Sequence, residues 1–263
     1  MEIKRLVVSD MDGTLLDKQQ RISTETQQAV LRFLDQGGKF AVATGRSMSG
    51  TARFVAPLGI QYGILLNGAL LYDFVNARAI ETHPLPEAES RAIVETILER
   101  YPNISVQVYG EQVICLLQGN DIVSAKGTRE EFSDLVTPTE FLPKEWLKIT
   151  LSGSVPDILD LQEHAASTYP NLKLLRSSTH FCEINGLGVT KGVGLATIAN
   201  MYGLTLADTV AVGDNENDLP MLQTAGLALA VDNACDSVRK AAHHILPDHN
   251  EHPLKHAVEL ICN

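Results

Sequence analysis

The stretch Leu6-Val7-Val8-Ser9-Asp10-Met11-Asp12-Gly13-Thr14-Leu15-Leu16 decides how the rest of the chain is read. Three consecutive apolar residues, two of them β-branched, fit a parallel strand covered on both faces. Two acids follow one residue apart, then a glycine that permits a tight turn. In open parallel sheets, ligands bind in the crevice outside the carboxyl ends of the strands. Residues i and i+2 of an extended chain face the same way, so Asp10 and Asp12 would put two carboxyl groups around one reaction centre. One can be a nucleophile while the other, its pKa raised by its neighbour, shuttles a proton. A solvated D-x-D-G turn is the competing reading of these residues taken alone.

Outward from that strand, the apolar spacing predicts a helix from near Ser23-Thr24, with Val30, Phe33 and Leu34 on one side and Gly37-Gly38 closing it. Phe40 to Ala43 reads as a second strand and Ile64-Leu65-Leu66 as a third. Repeated β-α-β units mean an α/β fold, here a doubly wound, mainly parallel, Rossmann-like core. From about Thr82 the texture changes. A helix carrying Ala92, Ile93, Ile97 and Leu98 is followed by alternating segments at Val106–Tyr109 and Val113–Leu117, as in half-exposed antiparallel strands. Lys148–Leu151, a helix over Pro156–Tyr169 and strands near Leu172 and Phe181 complete an α+β block with one open sheet face. After Ile184 the first texture returns, with a helix at Thr190–Tyr202, a strand at Thr209–Val212, a helix at Leu219–Ala225 and a strand at Leu227–Val231. The expected organisation is a core built from residues 1–81 and 184–263, with 82–183 inserted as a second domain.

Composition narrows the classes of function. The 263 residues hold 21 Lys and Arg against 32 Asp and Glu, a formal charge of -11, which argues against nucleic acid and against an anionic membrane surface. No stretch approaches the 20 or so apolar residues of a membrane helix, and the run ending at Asp10 is too short for a signal peptide. The expected compartment is the cytoplasm. Cys115, Cys182, Cys235 and Cys262 lie far apart with no CxxC pair, so reduced, buried thiols are expected rather than disulfides or zinc.

Three further stretches sit where strands end. Thr44-Gly45-Arg46 follows the second strand, and a small hydroxyl with free backbone N–H groups at a helix start makes a phosphate seat; an ordinary N-cap is the alternative. Gly213-Asp214-Asn215-Glu216-Asn217-Asp218 offers oxygen ligands for a hard cation such as Mg²⁺. It is not an EF-hand loop, since Leu219 stands where that loop needs glycine, and a plain acidic loop is the alternative. Lys191 opens a helix, where a cation is mildly unfavourable, which suggests an anion held nearby. The surrounding Gly186–Gly192 matches neither the dinucleotide nor the P-loop spacing.

Taken in order, DMDGTLL at Asp10–Leu16, TGR at Thr44–Arg46, TKG at Thr190–Gly192 and GDNENDLPM at Gly213–Met221 resemble the motifs of the haloacid dehalogenase superfamily. Asn67-Gly68-Ala69, Lys148-Ile149, Glu183-Ile184 and Asp232-Asn233-Ala234 extend the likeness to its Cof-type phosphatases. The 145 or so residues between Thr44 and Lys191 leave room for a cap of ordinary small-domain size, the type IIB arrangement. The resemblance implies that Asp10 attacks phosphorus and that Asp12 acts as general acid and base. It implies Mg²⁺ on the Asp10 carboxylate, the Asp12 backbone carbonyl and the Asp214 carboxylate, with Asp218 in support. It also implies that Thr44, Gly45, Lys191 and Asn217 bind the phosphoryl oxygens of a small phosphorylated metabolite, sugar phosphates first.

One region departs from the pattern. Asn250-Glu251-His252-Pro253-Leu254-Lys255 stands where relatives read like N-E-D-G-V-A, so contacts of that loop with the site are in question. His249, His252 and His256 are expected in a solvated loop and helix start rather than around a metal. A phosphohexomutase and a catalytically idle phospho-ligand sensor are the other functions weighed. No feature of the sequence specifies an oligomeric state.

Overall fold

The computed structural model describes residues 4–121, 135–136 and 142–262. They fall into two units, one made of the chain up to Arg46, Thr51–Ile80 and the chain from Thr190 on, the other of Glu81–Val189 with Ser47–Gly50.

The larger sheet consists of β1 (Leu6–Ser9), β2 (Lys39–Ala43), β3 (Tyr62–Leu65), β4 (Leu70–Asp73), β5 (Arg78–Thr82), β12 (Thr209–Gly213), β13 (Leu227–Val231) and β14 (His244–Leu246). Side by side these run β14-β13-β12-β1-β2-β3-β4-β5. Strands β14 to β3 in that order are parallel, and β4 turns back antiparallel to β3. Leu6, Val7 and Val8 are fully buried, as a central strand covered on both faces requires. The chain lays β2 and β3 on one side of β1 and later returns to lay β12 on the other. The strand order therefore reverses at β1, which makes the carboxyl ends of β1 and β12 the place for a ligand.

Helix α1 (Thr24–Asp35) begins where predicted, because the Ser23 hydroxyl accepts a hydrogen bond from the Thr26 N–H. It buries Ala29, Val30 and Phe33, Phe33 alone contributing about 1.5–3 kcal/mol of burial; Leu34 is only half-buried. Helix α2 (Met48–Val55) follows β2. Strands β4, β5 and β14 are not read in the sequence. Asn67 adopts φ 59° and turns the chain straight back on itself, pairing Leu65 with Leu70, so β3 and β4 look like one apolar run.

The second unit holds β6 (Ser105–Tyr109), β7 (Ile114–Gln118), β8 (Leu135–Val136), β9 (Lys148–Ser152), β10 (Leu172–Ser178) and β11 (Phe181–Gly186), in the order β10-β11-β9-β6-β7-β8. All its strand pairs are antiparallel except β7–β8. Helices α3 (Glu87–Arg100) and α4 (Val155–Thr168) share a core with Val106, Val108, Ile149, Leu151, Cys182 and Ile184 from the sheet. The alternate residues are polar, as predicted, but not solvated: Gln107, Lys148 and Thr150 are all buried. Lys148 is held there by Glu183 at 3.3 Å and by the face of Tyr109. The fold is thus α/β, a doubly wound and mainly parallel core with an inserted α+β unit.

All four cysteines are free; Cys115 and Cys182 are buried as expected, whereas Cys235 is half-buried and Cys262 exposed. Among the described residues no helix is long and apolar enough to cross a membrane.

Candidate active site

Asp10 is the first residue beyond β1, its N–H bonded to the Val212 carbonyl of the neighbouring β12. Asp214 is the first residue beyond β12. Adjacent parallel strands thereby deliver two carboxylates to one edge of the sheet. The third comes from Asp218, in the short turn that follows Asp214. One Asp218 oxygen accepts from the N–H groups of Asp214 at 2.9 Å and Asn215 at 3.0 Å, which closes the turn and fixes the carboxylate. Gly213 makes this possible, since a Cβ there would lie 2.6 Å from the Asp218 side chain.

Lys191 opens helix α5 (Lys191–Met201), with Thr190 as its N-cap. Its ammonium is completely buried and donates to Asp10 and to Asp218, both at 2.6 Å. Carboxylate oxygens of Asp10, Asp214 and Asp218 all lie within 4.8 Å of one another. The Thr14 hydroxyl donates to Asp214 at 3.1 Å. Gly13, at φ 80°, lets the chain pass close by; a Cβ would sit 2.7 Å from an Asp214 oxygen.

The electrostatics follow from one lysine facing three carboxylates. Burial pushes the Asp10 carboxyl well above its ordinary range; Lys191 pulls it back, and the Asp218 and Asp214 charges add to the rise. Burial and the Asp218 charge push Asp214 up to about 6. Burial works against the Lys191 ammonium, but Asp10 and Asp218 prevail and hold it firmly protonated.

Asp12 goes elsewhere. Its carboxylate is not part of the Asp10–Asp214–Asp218 cluster but pairs with Arg46, whose Nε and one terminal nitrogen donate to its two oxygens at 2.7 and 2.6 Å. Burial would raise its pKa, yet the Arg46 hydrogen bonds and charge outweigh that and hold it below the usual carboxylate value. The sequence leaves open which acid of the pair is raised; the raised one is Asp10. Asp10 is the buried acid, and Asp12, half-exposed, is paired with Arg46.

Thr44 is buried, and its hydroxyl accepts from the Arg46 N–H at 3.1 Å. It does not cap α2; that N-cap is Ser47, whose hydroxyl accepts from the Gly50 N–H. Gly45 lies against the Asn67 side chain, and Asn217 donates to the Asn67 oxygen at 3.1 Å. Asn67 therefore gathers Gly45 and Asn217 into a second group. Arg46, Asn67 and Thr14 are the site residues that carry no role in the sequence reading. For Asn67 a signal exists, the Asn-Gly pair that favours a left-handed turn; for Arg46 and Thr14 the partners lie 34 and 200 positions away.

The departing C-terminal loop is tied down by hydrogen bonds. His249 pairs through Nδ1 with the Leu16 carbonyl at 2.8 Å, and His252 Nδ1 with the Ser23 hydroxyl at 2.8 Å. Among the described residues the one group of potential metal ligands is Asp10, Asp214 and Asp218.

With this geometry, residues 7–258 match the model of the haloacid dehalogenase-like hydrolase family. The chain belongs to that family. Among its curated relatives is a 5-amino-6-(5-phospho-D-ribitylamino)uracil phosphatase of Bacillus subtilis, 27% identical over 92% of this chain and 89% of that protein. A haloacid dehalogenase-like hydrolase from Bacteroides thetaiotaomicron has the same fold, with a TM-score of 0.87 at 23% identity over 98% of this chain and 99% of that one. So does a solved subclass IIB sugar phosphatase of the superfamily, with a TM-score of 0.84 at 23% identity over 98% of this chain and 99% of that one. As a haloacid dehalogenase-like hydrolase the protein is an enzyme, and the Asp10, Lys191, Asp214 and Asp218 cluster lies within its first unit.

Proposed function

We propose that the protein is a Mg²⁺-dependent phosphatase that hydrolyses small phosphomonoesters, sugar phosphates first, through an aspartyl-phosphate on Asp10. The observation that carries this reading is the fully buried Lys191 bridging Asp10 and Asp218 beside Asp214, at the carboxyl ends of β1 and β12. A curated relative named as a phosphatase supports it.

The donor set fits magnesium. All three carboxylates offer hard oxygens within 4.8 Å of one another. Asp10, Asp214 and the Asp12 backbone carbonyl would hold the ion, with Asp218 in support. When bound it would neutralise phosphoryl oxygens and make phosphorus more open to attack.

The chain's own residues account for the rest. An Asp10 oxygen attacks phosphorus in line, the ester P–O bond breaks, and the leaving oxygen takes a proton from Asp12. In the second half Asp12 takes a proton from water, the water oxygen attacks phosphorus, and the Asp10–phosphorus bond breaks to release phosphate. Asp12 ends protonated, as it began, so the bound ester must lift its carboxyl out of the low range that Arg46 imposes on it. Lys191 and Asn217, with the Thr44 hydroxyl and the Gly45 backbone, bind the phosphoryl oxygens; such fixed charges and dipoles do most of the work in phosphoryl transfer. The inserted unit, residues 82–183, selects the substrate, and the enzyme works on cytoplasmic metabolites.

Phosphate release from a panel of sugar phosphates, nucleotides and cofactor phosphates, with Mg²⁺ and with EDTA, tests the reading. Turnover that needs Mg²⁺ and vanishes in Asp10→Asn is expected. Full activity in Asp10→Asn, or no release from any generic aryl phosphate, would overturn it. Hexose 6-phosphate that yields phosphate only alongside a hexose 1,6-bisphosphate would mark a mutase instead.

A further inference from the structure

Arg46 has an environment more elaborate than a lone surface ion pair. Its side chain is 10% exposed while that of Asp12 is 48% exposed, so the buried partner is the arginine. The guanidinium lies 5.2 Å from the centre of the buried Phe54 ring and makes two parallel bonds to Asp12. Two donors in one plane fix the orientation of a carboxylate as well as its place. The same terminal nitrogen also donates to the Gln20 side-chain oxygen.

Gln20 is built to make that contact. It adopts φ 58°, a left-handed conformation that costs a non-glycine residue free energy and persists only where the surroundings impose it. The surroundings are visible. One Asp17 oxygen accepts from the N–H groups of Gln19 and Arg21, and the Gln20 N–H bonds the Asp17 carbonyl. The departing C-terminal loop then pins this turn from outside: Asn250 accepts from the Lys18 N–H at 3.0 Å, His249 meets the Leu16 carbonyl, and His252 meets Ser23. His252, the first residue at which this loop departs from the family pattern, thus joins His249 and Asn250 in holding the turn that presents Gln20.

We infer that Gln20 and Arg46 form a clamp that aims the Asp12 carboxyl at the leaving oxygen, Gln20 and Arg46 being positioning residues for proton transfer. The inference rests on the proposed acid role of Asp12. In that step the ester P–O bond breaks as the Asp10–phosphorus bond forms, and the Asp12 proton passes to the departing oxygen. A clamp for Asp12 has a signature that a phosphate ligand lacks. It matters most for a leaving group that needs the proton, and little for one that departs readily as an anion.

The test is kcat/KM for phenyl phosphate, the ester that needs a proton, and for 4-nitrophenyl phosphate, which needs it far less. Arg46→Ala, Arg46→Lys, Gln20→Ala and Asp12→Asn are compared with the unaltered enzyme, and thermal melting verifies folding. General acid catalysis contributes about 10²–10⁴-fold. Arg46→Ala is accordingly expected to lose about 10²-fold on phenyl phosphate and less than about 10-fold on the nitrophenyl ester, with KM little changed. Arg46→Lys keeps the charge but not the paired donors and loses roughly 10-fold on phenyl phosphate; the exposed Gln20→Ala loses several-fold and serves if Arg46→Ala does not fold.

Equal losses on both esters in the Arg46 variants, above all with a raised KM, would make Arg46 a phosphate ligand and overturn the clamp. A gain on phenyl phosphate would also overturn it, by showing that Arg46 only suppresses protonation of Asp12. If Asp12→Asn fails to widen the gap between the esters, the acid role itself falls and the clamp with it. That outcome is separable, because Asp10→Asn would still abolish turnover.

Discussion

Replacing Lys191 with methionine keeps the length of the side chain and removes its charge. In the intact protein the ammonium is fully buried and binds Asp10 and Asp218 at 2.6 Å each. Its removal strands two buried carboxylates, of which Asp10 already sits well above its ordinary range. Breaking a buried ion pair from one side costs about 3–5 kcal/mol, because the remaining charge is uncompensated. For a domain of this size that corresponds to a fall in Tm of roughly 6–20 °C. Urea unfolding in EDTA at pH 7.5 measures it, with the pair Lys191→Met and Lys191→Met/Asp218→Asn. The double variant should recover at least about 1 kcal/mol, since one stranded charge is gone. The sign with pH is fixed as well: the folded lysine pKa is raised, so its contribution is present below the unfolded value and lost above it. At the acid end the difference between the proteins shrinks as the carboxylates take up protons. A loss below about 1 kcal/mol, or a double variant less stable than the single one, would refute the argument that Lys191 offsets buried charge.

Asp214, raised to about 6, binds a proton in the folded state that the unfolded chain has already released, so it lowers stability as pH rises from about 4 to about 6. Mg²⁺ should therefore raise Tm more at pH 7.5 than at pH 5, and an equal shift at both would contradict the placement of the ion there. Gly213→Ala puts a Cβ 2.6 Å from Asp218; it should cost about 1–3 kcal/mol in urea unfolding, and a neutral effect would mean the turn relaxes freely. Asn67→Gly keeps the left-handed backbone and removes the acceptor for Asn217. The inhibition constant of inorganic phosphate should rise about 5- to 10-fold, the worth of one hydrogen bond, and an unchanged constant would detach Asn67 from phosphate binding.

What the sequence made legible was the set of groups fixed by strand ends. Leu6-Val7-Val8 and Val210-Ala211-Val212 are apolar throughout because both faces of a parallel strand are covered, and Asp10 and Asp214 follow each of them two positions on. The lysine that opens a helix, an anomaly in the sequence, is paired in the structure with the Asp10 and Asp218 carboxylates. Legibility failed where a residue's state depends on a partner remote in the chain. Two acids in D-x-D look alike on paper. Burial beside Asp218 raises one, and an arginine 34 positions away lowers the other. The short strands β4 and β14 were hidden for a different reason: the four-residue turn Leu66–Ala69 leaves little gap between two apolar runs, and a three-residue edge strand shows no period.

The pairing of Leu6 with Thr209 governs how this chain reaches its folded state. The central strand of the larger sheet finds β2 a few dozen residues on, but its other neighbour arrives only after the whole insert. Closing so long a loop is slow, because the entropy is lost before any contact repays it. The insert has no such delay, since β6 and β7 are consecutive and pair antiparallel; it is expected to condense first and so to shorten the loop that the core must close. Until β12 docks, one edge of Leu6-Val7-Val8 is an unsatisfied apolar strand, the kind of surface that joins another chain. The same arrangement that seats two aspartates side by side makes aggregation during refolding the characteristic hazard of this protein.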